Sequence, residues 1–511
     1  MTWTTEGSIA ALLRWRLDEK PERGFAYVED EGPWTYQSIG AEAVRVARGL
    51  RAQAVGAGDL VIVRLGNDER FLAAVGGVWM GGAGAIVMHP AAPSRDVTSV
   101  ATSMGAKAII ADPEDLPARS VGLPCIAIAR FPASGAVDAA QLAQTYSVPA
   151  VPGSSPALVL LTSGTTGQPK GVVLTHDNAW ANLRATVAAF RSDTSPTPIS
   201  DIARPPNLIS NPLSHTAGVV RLLFALYVGR TIALLRKFDA TMAKSLIDRH
   251  GIDNLTINPA MMRMLLENLP DNADLGKVRY VSSGTAPLPP ALREEFEKRF
   301  GVPVLQAYGQ TEAFGGIAIE SVKDVLSGRR KPGSVGRPLP GVELRIVGPD
   351  GEEVAGGEVG EIVVRARSAT SGYIGGDAVQ PVDDEGWLRT GDQGRVDEDG
   401  YLFITGRIKN IIICGGFNIV PEEVEAALAE DRSVREVTVV GVPDDRLGEV
   451  PVAIAESDCS AADLIEKIGD RLAPYKRPRR VFVVDALPRV ANGKVDRPAA
   501  AALARELCSS N

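Results

Sequence analysis

Cysteine and histidine are scarce in this chain, and their placement excludes several chemistries. The four cysteines, Cys125, Cys414, Cys459 and Cys508, lie far apart and form no Cys-x-x-Cys pair. The four histidines, His89, His176, His215 and His250, show no metal-ligand spacing, so a zinc site is not expected. No apolar secretory leader is evident at the N-terminus, and a reduced, cytoplasmic compartment is the expectation. Positive charge is in the minority: 54 Lys and Arg face 62 Asp and Glu, a net charge of −8 that argues against a general nucleic-acid binder. Local basic loops can still override that sign for small anionic ligands. Long apolar runs are missing too. Residues 71–88 carry no charge, but Gly76, Gly77, Gly81, Gly82 and Gly84 interrupt them. The stretch reads as a buried helix, a glycine break and a buried strand at 85–88, with no membrane span. There is no internal repeat and no low-complexity tract.

What is present describes an ordinary globular protein. The 511 residues are 45% hydrophobic and 23% charged, enough for roughly two to four lobes. Apolar periodicity predicts a helix over 39–53 and strands over 60–65 and 107–111, a βα alternation that favours a parallel sheet covered by helices. The middle repeats the scheme, with helices over 219–227, 240–249 and 288–300 and strands over 254–257, 278–281 and 304–307. Asp239 reads as the N-cap of the helix that follows it. From about residue 333 the pattern turns to β with Gly-Asp turns, over 342–347, 360–365 and 401–404. The tail alternates again: helices over 421–429 and 461–472, strands over 434–442, 451–455 and 481–484.

The most informative segment is 162–171, Thr-Ser-Gly-Thr-Thr-Gly-Gln-Pro-Lys-Gly. Hydroxyls from Thr162, Ser163, Thr165 and Thr166 stand among Gly164, Gly167 and Gly171, and Lys170 nearly closes the run. Glycines let backbone N–H groups approach a ligand, hydroxyls donate to phosphate oxygens, and the lysine adds a mobile charge. An apolar strand pattern over 157–161 precedes the loop, a common setting for phosphate binding. The spacing is not that of a Walker A loop. Three further motifs follow predicted strands or strand ends, where ligands sit on open α/β sheets: Pro-Leu-Ser-His at His215, Ser-Ser-Gly-Thr-Ala through Ala286, and Tyr308-Gly-Gln-Thr-Glu312.

With Thr390-Gly-Asp392, Gly406-Arg407-Ile-Lys409 and Asn492-Gly-Lys494, the phosphate loop and the Tyr308 motif make five spaced signatures in order. Together they resemble the adenylate-forming superfamily of acyl-CoA synthetases, adenylation domains and luciferases, from about Trp34 to about Arg497. The resemblance implies an α/β fold. Its large N-terminal domain, residues 1–406, would hold two βα sheet subdomains and a β-rich subdomain from about 333 to 406. A small, mobile α+β C-terminal domain, 407–511, would pivot at Lys409. It also implies an ATP-dependent carboxylic acid:CoA ligase with Mg²⁺, working through an acyl-adenylate.

The same resemblance assigns residues. The 162–170 loop, including Gly164 and Gly167, would hold the β- and γ-phosphates. Thr311 would contact the α-phosphate and Glu312 the metal. Tyr308, Gly309, Gly284, Thr285, Ala286 and, more weakly, Gln306 would surround adenine, and Asp392 and Arg407 would hold the ribose. Lys494, at the tip of an Asn-Gly turn, would bridge the carboxylate and the α-phosphate. His215 would border the acyl pocket, with Gly415, Gly416 and Lys476 placed for CoA. A wider basic cluster, Arg471 with Arg477, Arg479 and Arg480, reads as a CoA phosphate site or as a solvated face. Apolar residues after His215 point to a medium- or long-chain fatty acid or another apolar acid, aryl acids included. Arg221 is the odd residue in that stretch: a solvated helix position or the partner of a second substrate carboxylate. A carrier-protein thiol as acceptor, and a non-catalytic nucleotide-binding scaffold, are the alternatives.

Overall fold

The computed structural model describes residues 8–133, 146–163, 169–190, 204–375, 380–414, 417–444, 446–468, 471–472, 476–490 and 493–509. Two sheets form the front of the molecule. A seven-stranded sheet runs, edge to edge, through Gly372–Ile374, Pro169–Thr175, Pro156–Ser163, Gly84–Val87, Leu60–Arg64, Ala108–Ala111 and Cys125–Ala127. The five strands from Pro156–Ser163 onward are parallel, and the first two add antiparallel. The second sheet, of five strands, orders Asn254–Thr256, Tyr280–Ser283, Val304–Gln310, Gly315–Ile319 and Arg337–Pro338. A small four-stranded sheet carries Asn207–Ile209 on one edge.

The glycine-rich stretch folds as its composition predicts. Glu69–Met80 is a helix, Gly82 turns at φ +83°, and Gly84–Val87 is a fully buried strand. The glycines inside the helix serve packing. A Cβ on Gly77 would sit 2.5 Å from Val46 Cβ, so its absence lets the helix Tyr36–Ala52 lie directly on this one. Among the described residues no helix is long and apolar enough to cross a membrane. Asp239 is the N-cap expected of it, accepting the Met242 N–H at 2.8 Å.

Two strands run differently from expectation, each for a tertiary reason. The strand from Val304 continues to Gln310, straight through the Tyr308 motif. Gly315–Ile319 returns antiparallel beside it, and a Cβ on Gly309 would run into the Gly315 carbonyl. The glycine pair therefore allows a hairpin where the motif alone suggests a strand end. The strand predicted over 278–281 forms at Tyr280–Ser283, because its parallel neighbours register there.

Behind these sheets, Val342–Val347, Gly360–Ala366, Leu388–Val396 and Leu402–Arg407 make an antiparallel sheet around a separate core that includes Ile362, Val364, Leu388 and Leu402. The tail builds its own sheet on Gly448–Ser457, flanked by Val434–Asp444, Ile412–Cys414 and Arg480–Val483. The helices Pro421–Ala429, Ala461–Ile468 and Arg497–Ser509 accompany it. The two buried apolar clusters of the tail draw only on residues from Ile412 onward. A large α/β body and a small α+β tail thus fold around distinct cores.

Candidate active site

The two ends of the phosphate motif lie in neighbouring strands. Pro156–Ser163 and Pro169–Thr175 pair antiparallel, with Thr162 opposite Lys170. Gly164, Thr165, Thr166 and Gly167 lie outside the described residues, as do Gly415, Gly416 and Asn492. At the strand's end the Thr162 hydroxyl is buried without a hydrogen-bond partner among the described residues. Lys170 places its ammonium 3.7 Å from the centroid of the Tyr373 ring, a cation–π contact.

Tyr373 belongs to the strand Gly372–Ile374, which joins Pro169–Thr175 at the sheet edge. Its hydroxyl donates to Glu312 Oε1 at 2.8 Å. Burial, followed by the Glu312 carboxylate, holds the Tyr373 phenol well above its usual range. Glu312 lies in the 3₁₀ turn Thr311–Ala313 that closes the Tyr308 motif. Its second carboxylate oxygen takes no hydrogen bond among the described residues. Thr311 meets Thr216 hydroxyl to hydroxyl at 2.7 Å. Among the described residues no group of three acidic, His or Cys side chains could enclose a metal. One open carboxylate oxygen beside a phosphate loop suits Mg²⁺, which is bound through one or two carboxylates plus substrate phosphates.

Asp392 is the centre of a second cluster. Only 3% exposed, it accepts the Tyr308 hydroxyl on Oδ2 and the Arg407 Nε–H on Oδ1, each at 2.6 Å. Antiparallel register sets the second contact, because Asp392 stands directly opposite Arg407. The Thr390 hydroxyl accepts the Asp392 N–H and fixes the turn. Burial, then the Asp392 charge, drives the Tyr308 phenol far up, so it stays a neutral donor. Each carboxylate oxygen has a lone pair to spare, enough to receive a vicinal diol.

The loop after Tyr280–Ser283 faces this cluster's strand. Gly284 passes so close that a Cβ would lie 3.2 Å from the Ala307 carbonyl, and Thr285 holds φ +71°. Left-handed backbone at a threonine is strained, and such strain concentrates at functional sites. Ala286 follows directly. Gln306 looks the other way: its side-chain oxygen accepts from Arg293 at 3.1 Å, and its backbone N–H donates to Glu320 at 2.7 Å.

His215 stands at the N-cap of the helix Thr216–Val228, and its Nε2 is buried with no hydrogen-bond partner among the described residues. Burial, with smaller effects of His89 and Lys494, pushes its pKa down to about 4, so it is neutral at physiological pH. Lys494 comes from the tail. Gly493 turns at φ +82° just before it. Desolvation of the lysine by burial, then the Arg407 guanidinium, holds its ammonium below the usual lysine range. The tail lysine thus stands near both Arg407 and His215.

Other tail residues are engaged elsewhere. Lys409 falls in the 3₁₀ turn Ile408–Asn410, directly after the last body strand. Lys476 pairs with Glu423 at 2.6 Å. Arg471 pairs with Glu430, Arg477 donates to the Leu472 carbonyl, and Arg480 donates to the Cys508 carbonyl. These bases point to separate partners.

Sequence reasoning missed Tyr373, Thr216 and His89. Tyr373 is 61 residues from Glu312 and sits in no motif that spacing reveals. Thr216 had a signal, its position next to His215.

Residues 13–374 match the AMP-binding enzyme family, and residues 423–494 match the AMP-binding enzyme C-terminal domain. The long-chain-fatty-acid–CoA ligase FadD13 of Mycobacterium tuberculosis is 32% identical over 502 residues, 96% of this chain and 97% of the relative. The sulfoacetate–CoA ligase of Cupriavidus necator is 32% identical over 509 residues, 96% of each chain. The structure of o-succinylbenzoate coenzyme A synthetase from Bacillus subtilis, in complex with ATP and magnesium ion, superposes with a TM-score of 0.80 at 28% identity, covering 95% of this chain and 98% of that one. Motifs, fold and relatives agree over nearly the whole length: the chain belongs to the AMP-binding enzyme family, as an AMP-forming, ATP-dependent acid:CoA ligase.

Proposed function

We propose that the enzyme activates an apolar carboxylic acid, a medium- or long-chain fatty acid or an aryl acid, and transfers its acyl group to CoA. The observation that carries this reading is Asp392 held between Tyr308 and Arg407 with Lys494 beside them. In the first step a carboxylate oxygen attacks the α-phosphorus of ATP, the bond to the bridging oxygen breaks, and pyrophosphate leaves. Both reactants are anionic, so catalysis consists of neutralising charge and holding an in-line geometry.

Thr162, Lys170 and the loop between them hold the leaving phosphates, and Thr311 meets the α-phosphate. Glu312 would hold Mg²⁺, which would supply charge neutralisation. Gly284, Thr285, Ala286, Gly309 and the Tyr308 ring enclose adenine, with Gln306 at the margin. Asp392 and Arg407 take the ribose hydroxyls. Lys494 neutralises the approaching carboxylate against the phosphate.

In the second step the CoA sulfur attacks the acyl carbon, AMP leaves, and the thiol proton is lost. The tail, taken from residue 407 onward and pivoting at Lys409, presents Gly415 and Gly416 to the thiol arm and Lys476 to the CoA phosphates. The body up to residue 406, with its β-rich part from about 333, stays fixed. FadD13 and its relatives are named for acids ranging from long-chain fatty acids to sulfoacetate, and the small and apolar residues after His215 favour the apolar end of that range.

The test is acid-dependent exchange of pyrophosphate into ATP across an acid panel, followed by mass detection of the thioester. Exchange and thioester with free CoA support the reading. Exchange with acyl release only to a carrier protein replaces CoA by that carrier, and no exchange with any acid overturns the mechanism.

A further inference from the structure

The helix that begins at His215 shows two faces. Gly218, Val219, Leu222, Leu223, Ala225 and Leu226 are buried in the core. Ala217, Val220, Arg221, Phe224 and Tyr227, at three- and four-residue spacing, are partly open. The open face looks toward the strands that bear the nucleotide motifs. Thr216 touches Thr311 at one end. Val220 Cγ2 lies 3.5 Å from where a Gly315 Cβ would stand. Arg221 follows, beside Tyr280 at the start of the strand that leads into Ser283 and Gly284. A line of half-buried side chains, Ala217, Val220 and Phe224, therefore leads along this helix from the Thr311–Glu312 turn past a guanidinium.

That guanidinium has no hydrogen bond and no ion pair among the described residues. Charged groups removed in part from water are commonly paired. The nearby acid is committed: Asp253 bonds Arg230, and Arg279 at 3.1 Å. Arg230 in turn faces Arg204 and Arg221, so the region holds more cations than carboxylates. Burial depresses the Arg221 pKa, yet arginine stays protonated in proteins. The positive charge is left for a ligand.

Resting on the acid:CoA ligase chemistry above but narrowing its acid, we propose that Arg221 forms an anion subsite at the far end of this helix face, so that the preferred acid has an apolar body with a second anionic group. From Thr216 to Arg221 the helix rises about 7.5 Å. That separation fits one ring or a handful of methylene groups between the reacting carboxylate and the distal anion. It is too short for a long fatty chain lying straight along the helix. The apolar side chains between the two ends suit the linker.

The test uses the full-length enzyme and pyrophosphate exchange with a ladder of α,ω-dicarboxylates from succinate to sebacate, each against its monomethyl ester. At the best length the wild type favours the diacid in kcat/KM by roughly tenfold to a hundredfold, the worth of a charge-assisted bond. Arg221→Met removes or reverses that preference while AMP binding and exchange with the monoester persist, which separates a lost subsite from a misfolded protein. Arg221→Lys recovers part of the preference. Equal use of diacid and ester along the whole ladder, or an unchanged ratio in Arg221→Met, overturns the subsite and leaves the ligase standing. No exchange with any acid, octanoate and benzoate included, overturns both.

Discussion

In the body, charged site residues hold one another across distant strands. Asp392 receives Tyr308 from 84 residues away and Arg407 from 15 away, and Glu312 receives Tyr373, which also carries Lys170 on its ring. In the tail, bases pair with tail acids: Lys476 with Glu423, Lys467 with Asp431, Arg489 with Glu436 and Glu456, Arg497 with Glu425. The body is organised for a ligand before it arrives, which is where electrostatic catalysis gains most. The tail is organised for its own fold and brings Lys494 near Arg407 and His215. A rigid grip and a domain that brings one charge divide the work by position.

The largest expected effect tests that division directly. Lys494→Ala lowers acyl-adenylate formation by more than about a hundredfold, while supplied acyl-adenylate still yields thioester. Stopped-flow pyrophosphate release and a separate thioester assay read the two steps, and equal loss of both would erase the distinction between body and tail. Next comes Lys409→Pro. Fixing φ at the 3₁₀ turn slows the thioester step by roughly tenfold when tail motion limits it, with pyrophosphate release unchanged; normal turnover removes the pivot from this position.

Smaller effects sharpen the picture of the body. Tyr373→Phe keeps the ring under Lys170 and loses the bond to Glu312. Removing a hydrogen bond to a charged group raises the KM for MgATP by about tenfold, without affecting the thioester step. Acid should act on the body as well. His176 is 1% exposed, its Nδ1 accepts the Ile9 N–H at 3.1 Å, and burial pushes its pKa down to about 4. Between pH 4 and about 6.5 the unfolded chain binds the extra proton, so stability rises with pH through that window. It is complete above the window and is lost as pH falls toward 4. His176→Asn retains an acceptor without the titration and should save on the order of 2 kcal/mol on acidification from pH 7 to 4.5. All six tryptophans precede residue 407, so tryptophan fluorescence in urea titrations reports this on the body alone.

The order of the motifs, the glycine break at 81–84, the Asp239 cap and the change to β after residue 333 could all be read from the chain. Each rests on local chemistry: glycine's dihedral freedom, a carboxylate facing the first N–H groups of a helix, apolar spacing of two or of three to four. What each side chain bonds to could not be read that way. Gln306 went to Arg293, Lys476 to Glu423, Tyr373 to Glu312 and Lys170, and Arg221 to no carboxylate. Those outcomes follow from strand register and from which helix faces which sheet. Both set distances between residues tens of positions apart, where sequence spacing carries no information.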